Sequence, residues 1–260
     1  MFIYLGDNAE QEKSPAYQNQ IVVDAQNSQK YILQNSEINQ ENLAVIYCYE
    51  GKEERIYDFT LDTSNFDSSI LGLQTINISY NGFSTSYDVQ VIDIAGLEEM
   101  VLQGYSDTTS LYQSVNLDGA INALESYISN EQIYIKGYET YDDVYFYSDG
   151  IRYHYTPDTF TGTQTSSTME EAMSEILSIP LDSNKTPFEN FVYNFIHGAF
   201  TEIATVDDVS LDFYQGSYNL YLVLNDNSTT VYYSFDENFR ITAEIIEQSD
   251  GVIERNSRSS

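Results

Sequence analysis

The stretch Gln74-Thr75-Ile76-Asn77-Ile78-Ser79-Tyr80-Asn81-Gly82-Phe83-Ser84-Thr85-Ser86-Tyr87-Asp88-Val89-Gln90-Val91 alternates apolar and polar residues on either side of an Asn-Gly pair. Alternation with period two is the signature of a strand that buries one face and wets the other. An Asn-Gly pair between two such runs marks a two-residue β-hairpin, because both central residues of that turn need positive φ. The hairpin therefore sets Ile76, Ile78 and Tyr80 with Phe83, Tyr87, Val89 and Val91 as the apolar set.

Working back from this hairpin, strands are expected from Ile21, over Lys30 to Leu33, Leu43 to Tyr49, Arg55 to Leu61, Gln74 to Tyr80 and Phe83 to Ile92. Strands this short at this spacing suit an all-β sandwich. Phe66, in the loop from Asp62 to Leu73, is placed to plug the bottom of its core. The run Asn65-Phe66-Asp67-Ser68-Ser69-Ile70-Leu71-Gly72, followed by Ile76, Ile78, Tyr80 and Gly82, resembles the closing half of the bacterial immunoglobulin-like domains of group 3. Leu43 to Tyr47 with Glu50-Gly51-Lys52 resembles that family's central strand and its turn. The likeness spans about residues 21 to 92, and it implies an extracellular spacer module of a cell-surface protein.

Beyond Asp93 the periodicity changes. Apolar residues at helical spacing predict helices over Ile94 to Gln103 and over Leu117 to Ile128, the second opened by Asn116 as a cap. Strands are expected at Gln132 to Tyr138 and at Val144 to Ser148, the latter turning through Asp149-Gly150 into Ile151 to Tyr155. Thr156 to Thr168 reads as a loop. Ser167 or Thr168 with Glu170 and Glu171 opens a short helix to Leu177, and Pro187 takes the first position of another that runs to about Phe200. A meander of four strands follows, Val209 to Tyr214, Tyr218 to Leu224, Thr229 to Phe235 and Arg240 to Glu247. The order of elements over 94 to 247 is similar to the half-barrel carriers of bacterial lipoproteins, which implies a curved sheet wrapped around an apolar cavity.

The chain of 260 residues holds 41 acids against 10 bases, a formal charge of −31 with no basic block. Phosphate neutralisation is thereby excluded as a basis for binding nucleic acid, and so is simple attraction to an anionic membrane. One cysteine, Cys48, allows no internal disulfide and reads as a small buried hydrophobe. No run approaches the ~18 apolar residues of a membrane span. Met1 to Gly6 is too short for a signal-peptide core, so an export signal would lie outside this sequence.

Nothing in the chain announces catalysis. The two histidines, His154 and His197, have no Gly-x-Ser-x-Gly elbow to serve, and there is no HExxH, cysteine pair, Walker loop or GxGxxG. Asp142-Asp143 with Asp149, and Asp207-Asp208 with Asp212, are the nearest approach to a calcium loop, and neither has the EF-hand spacing. No cofactor and no metal is implied. The best candidates for a binding surface are the tyrosines of the second half, Tyr134, Tyr145, Tyr147, Tyr153, Tyr155, Tyr221 and Tyr232, whose even spacing sends the members of each pair to one face of a sheet.

The expectation is thus two domains. A linker or arm (1–20) leads into an all-β immunoglobulin-like sandwich (21–93), an α+β domain with a curved antiparallel sheet covered by helices (94–247) follows, and a disordered tail (248–260) closes the chain. The function expected is that of a non-catalytic, extracellular or envelope-associated bacterial surface protein, presenting a domain that binds a surface partner: protein, glycan or lipid. Alternatives are an apolar-ligand carrier like the lipoprotein half-barrels and a carbohydrate-active hydrolase with a carboxylate pair.

Overall fold

The computed structural model describes residues 19–117, 120–137, 143–156, 161–178, 180–206, 208–224, 229–248 and 251–260. The linker expected at 1–20 lies almost wholly outside them. The N-terminal elements are β1 (Gln20–Val23), β2 (Tyr31–Leu33), β3 (Val45–Tyr49), β4 (Lys52–Ile56), β5 (Thr60–Asp62), β6 (Gly72–Tyr80) and β7 (Phe83–Ile92). They form a three-stranded sheet in the order β1-β3-β4 and a four-stranded sheet in the order β2-β7-β6-β5. The β6–β7 hairpin forms in the expected register, Tyr80 opposite Phe83, with Asn81 and Gly82 at φ 47° and 81°. Ile21, Ile32, Leu43, Val45, Ile56, Phe59, Ile76, Ile78 and Val89 bury together between the two sheets, and Phe66 packs against them. Cys48 is half-buried in the middle strand of the smaller sheet.

Asp93 caps the helix that follows, its side chain accepting from the Gly96 N–H, and α1 runs Ile94–Gly104. Gly104 sits where a methyl group would lie 2.1 Å from the Asn238 carbonyl oxygen, so close approach dictates glycine there. Next come β8 (Ser110–Leu117), β9 (Ala120–Ser129), β10 (Gln132–Lys136), β11 (Val144–Ser148), β12 (Ile151–Thr156) and β13 (Thr161–Ser166). Helices α2 (Met169–Leu177) and α3 (Pro187–Ile203) each open on a capping box, Thr168 with Glu171 and Thr186 with Glu189. Strands β14 (Asp208–Tyr214), β15 (Ser217–Val223), β16 (Thr230–Phe235), β17 (Ile241–Gln248) and β18 (Gly251–Ser259) complete the chain.

From β8 onward all strands join one antiparallel sheet of eleven, in the order β13-β12-β11-β10-β9-β8-β18-β17-β16-β15-β14. Its two meanders meet where β18 pairs with β8, Arg255 opposite Val115. The chain leaves one edge at β13 and re-enters at the opposite edge at β14. Ten strand spacings of about 4.8 Å separate those edges, so the connection has to cross the sheet, and α2 and α3 are that crossing. This places the helices on one face by topology. The sheet answers with Leu111, Ile128, Ile133, Tyr145 and Tyr147 from one meander and Leu211, Leu220, Leu222, Val231 and Tyr233 from the other, all buried beneath the helices.

These observations correct several expectations. An immunoglobulin-like sandwich followed by a separate α+β domain is not what forms: strands hold 50% of the chain and helices 19%, and the dominant body is the single eleven-stranded sheet. Its core draws in Leu33 and Ile92 from the N-terminal strands, with Tyr31 packed against it. The helix expected over Leu117 to Ile128 is instead strand, the end of β8 and most of β9. A spacing of four is even as well as helical, so Leu124 and Ile128 share a face in either conformation, and pairing with β8 and β10 decides for the strand. The loop expected over Thr156 to Thr168 contains edge strand β13. The tail expected to be disordered is β18, which lies in the middle of the sheet between β17 and β8.

Candidate functional site

The helix-covered face is not filled everywhere. Between α3 and the strands β8, β9, β10 and β18 lies a recess of about 270 Å³. Val115, Leu124, Ile128 and Ile135 supply its sheet side, and Phe191 and Phe195 its helix side. Those two rings are one helical turn apart and stack in parallel, centroids 6.3 Å apart. They stay only partly buried, while Phe188, Val192, Ile196 and Phe200 of the same helix are fully packed. Polar groups enter at one side: Gln113 and Ser126 from the sheet, and Arg255 from β18. Glu125 and Lys136, cross-strand partners on β9 and β10, border it as well, but they alternate with Leu124, Ser126 and Ile135 and so carry their side chains on the opposite face.

Arg255 is held by a short chain of polar contacts. Its Nη1 donates to Glu244 Oε2 at 2.7 Å, and the Tyr233 hydroxyl donates to Glu244 Oε1 at 2.8 Å. Register sets this up, since Tyr233, Glu244, Arg255 and Val115 stand opposite one another on β16, β17, β18 and β8. Burial and the neighbouring carboxylate push the Tyr233 phenol well above its ordinary range, so it remains a donor.

A second recess of about 390 Å³ lies on the other flank of α3, between its first turns and α1, lined by Leu102, Tyr105, Phe188, Val192 and Tyr193. The largest depression, about 1050 Å³, is an open groove where the N-terminal strands meet α1 and the turns of the sheet. Its lining mixes the acids Glu99, Asp107, Asp236 and Glu237 with Met100, Phe213 and Phe239, so it lacks a continuous apolar wall.

The seven tyrosines expected to share a surface are divided between the two faces. Tyr145 and Tyr147 are core residues at 0% and 6% exposure, and the Tyr145 hydroxyl donates to the Ala172 carbonyl in α2. Tyr134, Tyr153 and Tyr155 point to the opposite face, where Tyr134, Phe146 and Tyr153 follow one another across three strands. Tyr221 and Tyr232 pair on that face as well, centroids 4.9 Å apart. Even spacing puts Tyr145 with Tyr147 and Tyr153 with Tyr155, but the Asp149-Gly150 turn sets Tyr153 opposite Phe146 rather than Tyr145 or Tyr147, and Tyr221 meets Tyr232 through strand pairing instead of spacing.

His154 does face away from its two tyrosine neighbours and lies 3.7 Å from the buried carboxylate of Asp143. His197 joins α3 to α1 through Glu98 at 2.7 Å. Asp142 and Asp207 of the two calcium candidates lie outside the described residues, and among the described residues no group of three or more metal-binding side chains converges. The residues that line the recess escaped sequence reasoning. Phe191 and Phe195 carried a usable signal, a pair of rings at i, i+4; Arg255 sat in a segment whose polar composition concealed a strand.

No protein-family model matches the chain, the group 3 immunoglobulin-like domain included, and no curated protein matches it. Solved structures do show likeness. The crystal structure of LprF from Mycobacterium bovis covers 64% of this chain and 91% of its own, at 7% identity and a TM-score of 0.36. The lipoprotein LppX from Mycobacterium tuberculosis covers 64% and 93%, at 9% identity and a TM-score of 0.32. The LolA superfamily protein NE2245 from Nitrosomonas europaea covers 64% and 92%, at 14% identity and a TM-score of 0.25.

Proposed function

We propose that this chain is a non-catalytic carrier that seats an apolar, chain-like ligand between α3 and strands β8, β9, β10 and β18. The observation that carries the reading is the apolar recess there, walled by sheet aliphatics on one side and the half-buried Phe191 and Phe195 on the other. At about 270 Å³ it is slightly smaller than the preformed pockets that take drug-sized ligands, which start at about 300 Å³. A longer ligand would need α3 to give way. Recesses on both flanks of that helix leave it room to shift, and its first turn is tied down by the capping box and by Asn130, whose Oδ1 accepts from the Phe188 N–H. A hinge at that end with movement beyond it fits the arrangement.

The surface-spacer function expected from the immunoglobulin-like resemblance is set aside, because the fold it depended on is not the one formed. Under this reading the chain keeps the extracellular or envelope-associated placement expected from the sequence. No described helix is long and apolar enough to cross a membrane.

Uptake of an environment-sensitive fluorescent fatty-acid probe tests the reading. The native chain should enhance its emission saturably, and Leu124→Trp, which fills the recess, should reduce uptake at least about ten-fold while the melting temperature stays within a few degrees. Tyr153→Ala on the opposite face should leave uptake unchanged. Equal uptake by the native chain and Leu124→Trp would remove the proposed seat.

A further inference from the structure

We infer that the ligand of this recess carries an oxyanion head, a carboxylate or a phosphate, and that Arg255 binds it; the inference rests on the carrier reading above. The Glu244–Arg255 ion pair is partly exposed, and such pairs contribute little to stability, so stability alone does not account for it. Glu244 and Arg255 interrupt a cross-strand row that otherwise runs Leu211, Leu220, Tyr233 before them and Val115, Leu124 after them. Their exposure is unequal. The Glu244 side chain is 12% exposed with both oxygens engaged, whereas Arg255 is 35% exposed and borders the recess. The acid is therefore an anchor and the base is what the cavity meets.

Held at one nitrogen by Glu244 and lying 6.0 Å over the Phe195 ring, the guanidinium is fixed in orientation before any ligand arrives. Its planar fork has further donors to offer, and their geometry matches two oxygens of a carboxylate or phosphate. Gln113, buried on the adjacent strand, adds a second polar group at the same side. Glu125 and Lys136 alternate with Leu124, Ser126 and Ile135, so their side chains fall on the opposite face of the sheet, which leaves Arg255 as the charged group that selects. The apolar walls then take the tail, so the occupant is a single-tailed amphiphile with its head at β18.

Displacement of the fluorescent probe by dodecanoate, dodecyl phosphate and dodecanol at neutral pH separates the possibilities. The native chain should bind at least one of the two anions about ten-fold more tightly than the alcohol, the worth of one charge-assisted hydrogen bond; the tighter anion identifies the head. Arg255→Met should erase that preference, and Arg255→Lys should keep part of it. The double variant Glu244→Gln/Arg255→Met, which leaves no unpaired carboxylate, should also bind acid and alcohol alike, and it decides the matter if the single variant does not fold. Equal binding of anions and alcohol by the native chain, or a preference that survives in the double variant, overturns the assignment to Arg255 while leaving the carrier reading intact. No displacement by any of the three, with no probe uptake, overturns both.

Discussion

The Tyr218 hydroxyl accepts from two consecutive backbone N–H groups, Lys30 at 2.6 Å and Tyr31 at 2.9 Å, and so fastens the N-terminal strands to the end of the large sheet. Its ring lies against Phe239, and the Tyr31 ring meets both. Tyr218→Phe would keep the packing and orphan two amides, at a cost of about 1–3 kcal/mol at neutral pH. A denaturant melt of that variant reading the same midpoint as the native chain would contradict this account of the seam. Burial pushes the Tyr218 phenol up to about 12 against an ordinary 10, despite the two N–H donors that pull it down. Because the folded value is the higher, its contribution is complete below pH 10 and drains away as pH climbs through 12, by about 2–3 kcal/mol in all. Burial raises Tyr105 and Tyr233 in the same direction. Stability should therefore fall between pH 10 and 12, less steeply in Tyr218→Phe, as followed by circular dichroism against pH. None of this was legible in the sequence, where Tyr218 was one ring among 24 tyrosines.

At the scale of elements, what sequence reasoning recovered shares a local cause. The Asn81-Gly82 and Asp149-Gly150 turns, the Thr186-Pro187 helix start and the Thr168–Glu171 capping box each depend on residues within four positions of one another. What it missed depends on distant partners. Strand β18 has a polar sequence, Gly251-Val252-Ile253-Glu254-Arg255-Asn256-Ser257-Arg258-Ser259, that would not hold together alone. It forms because β17 and β8 each present an open row of hydrogen-bonding groups on either side of it. Removing residues 249–260 should accordingly split the eleven-stranded sheet between its meanders, and the truncated chain should lose its cooperative melt or become insoluble. A disordered tail would come away with no effect on melting, so an unchanged transition would argue against the central placement of β18.

For the molecule as a whole, 41 acids against 10 bases make the folded state self-repelling. Screening relieves that repulsion, since the Debye length contracts from about 10 Å at 0.1 M salt to about 3 Å at 1 M. Raising sodium chloride across this range should lift the melting temperature by about 2–4 °C, the equivalent of about 1 kcal/mol for a chain of this size; a fall would mean that ion pairs such as Arg240–Asp236 outweigh the net charge. The amino-acid sequence by itself determined the hairpins, the helix caps, the acidic surface and the absence of any cysteine framework, because each is settled by neighbours along the chain or by composition. Only the tertiary structure decided that two meanders close into one sheet through the last strand, which face of that sheet the crossing helices cover, and hence that Tyr145 is core, Tyr153 is surface, and Arg255 stands at the wall of an apolar recess. Those outcomes turn on pairing between segments more than a hundred residues apart, and the alternation within a strand says which residues share a face but never which face meets the core.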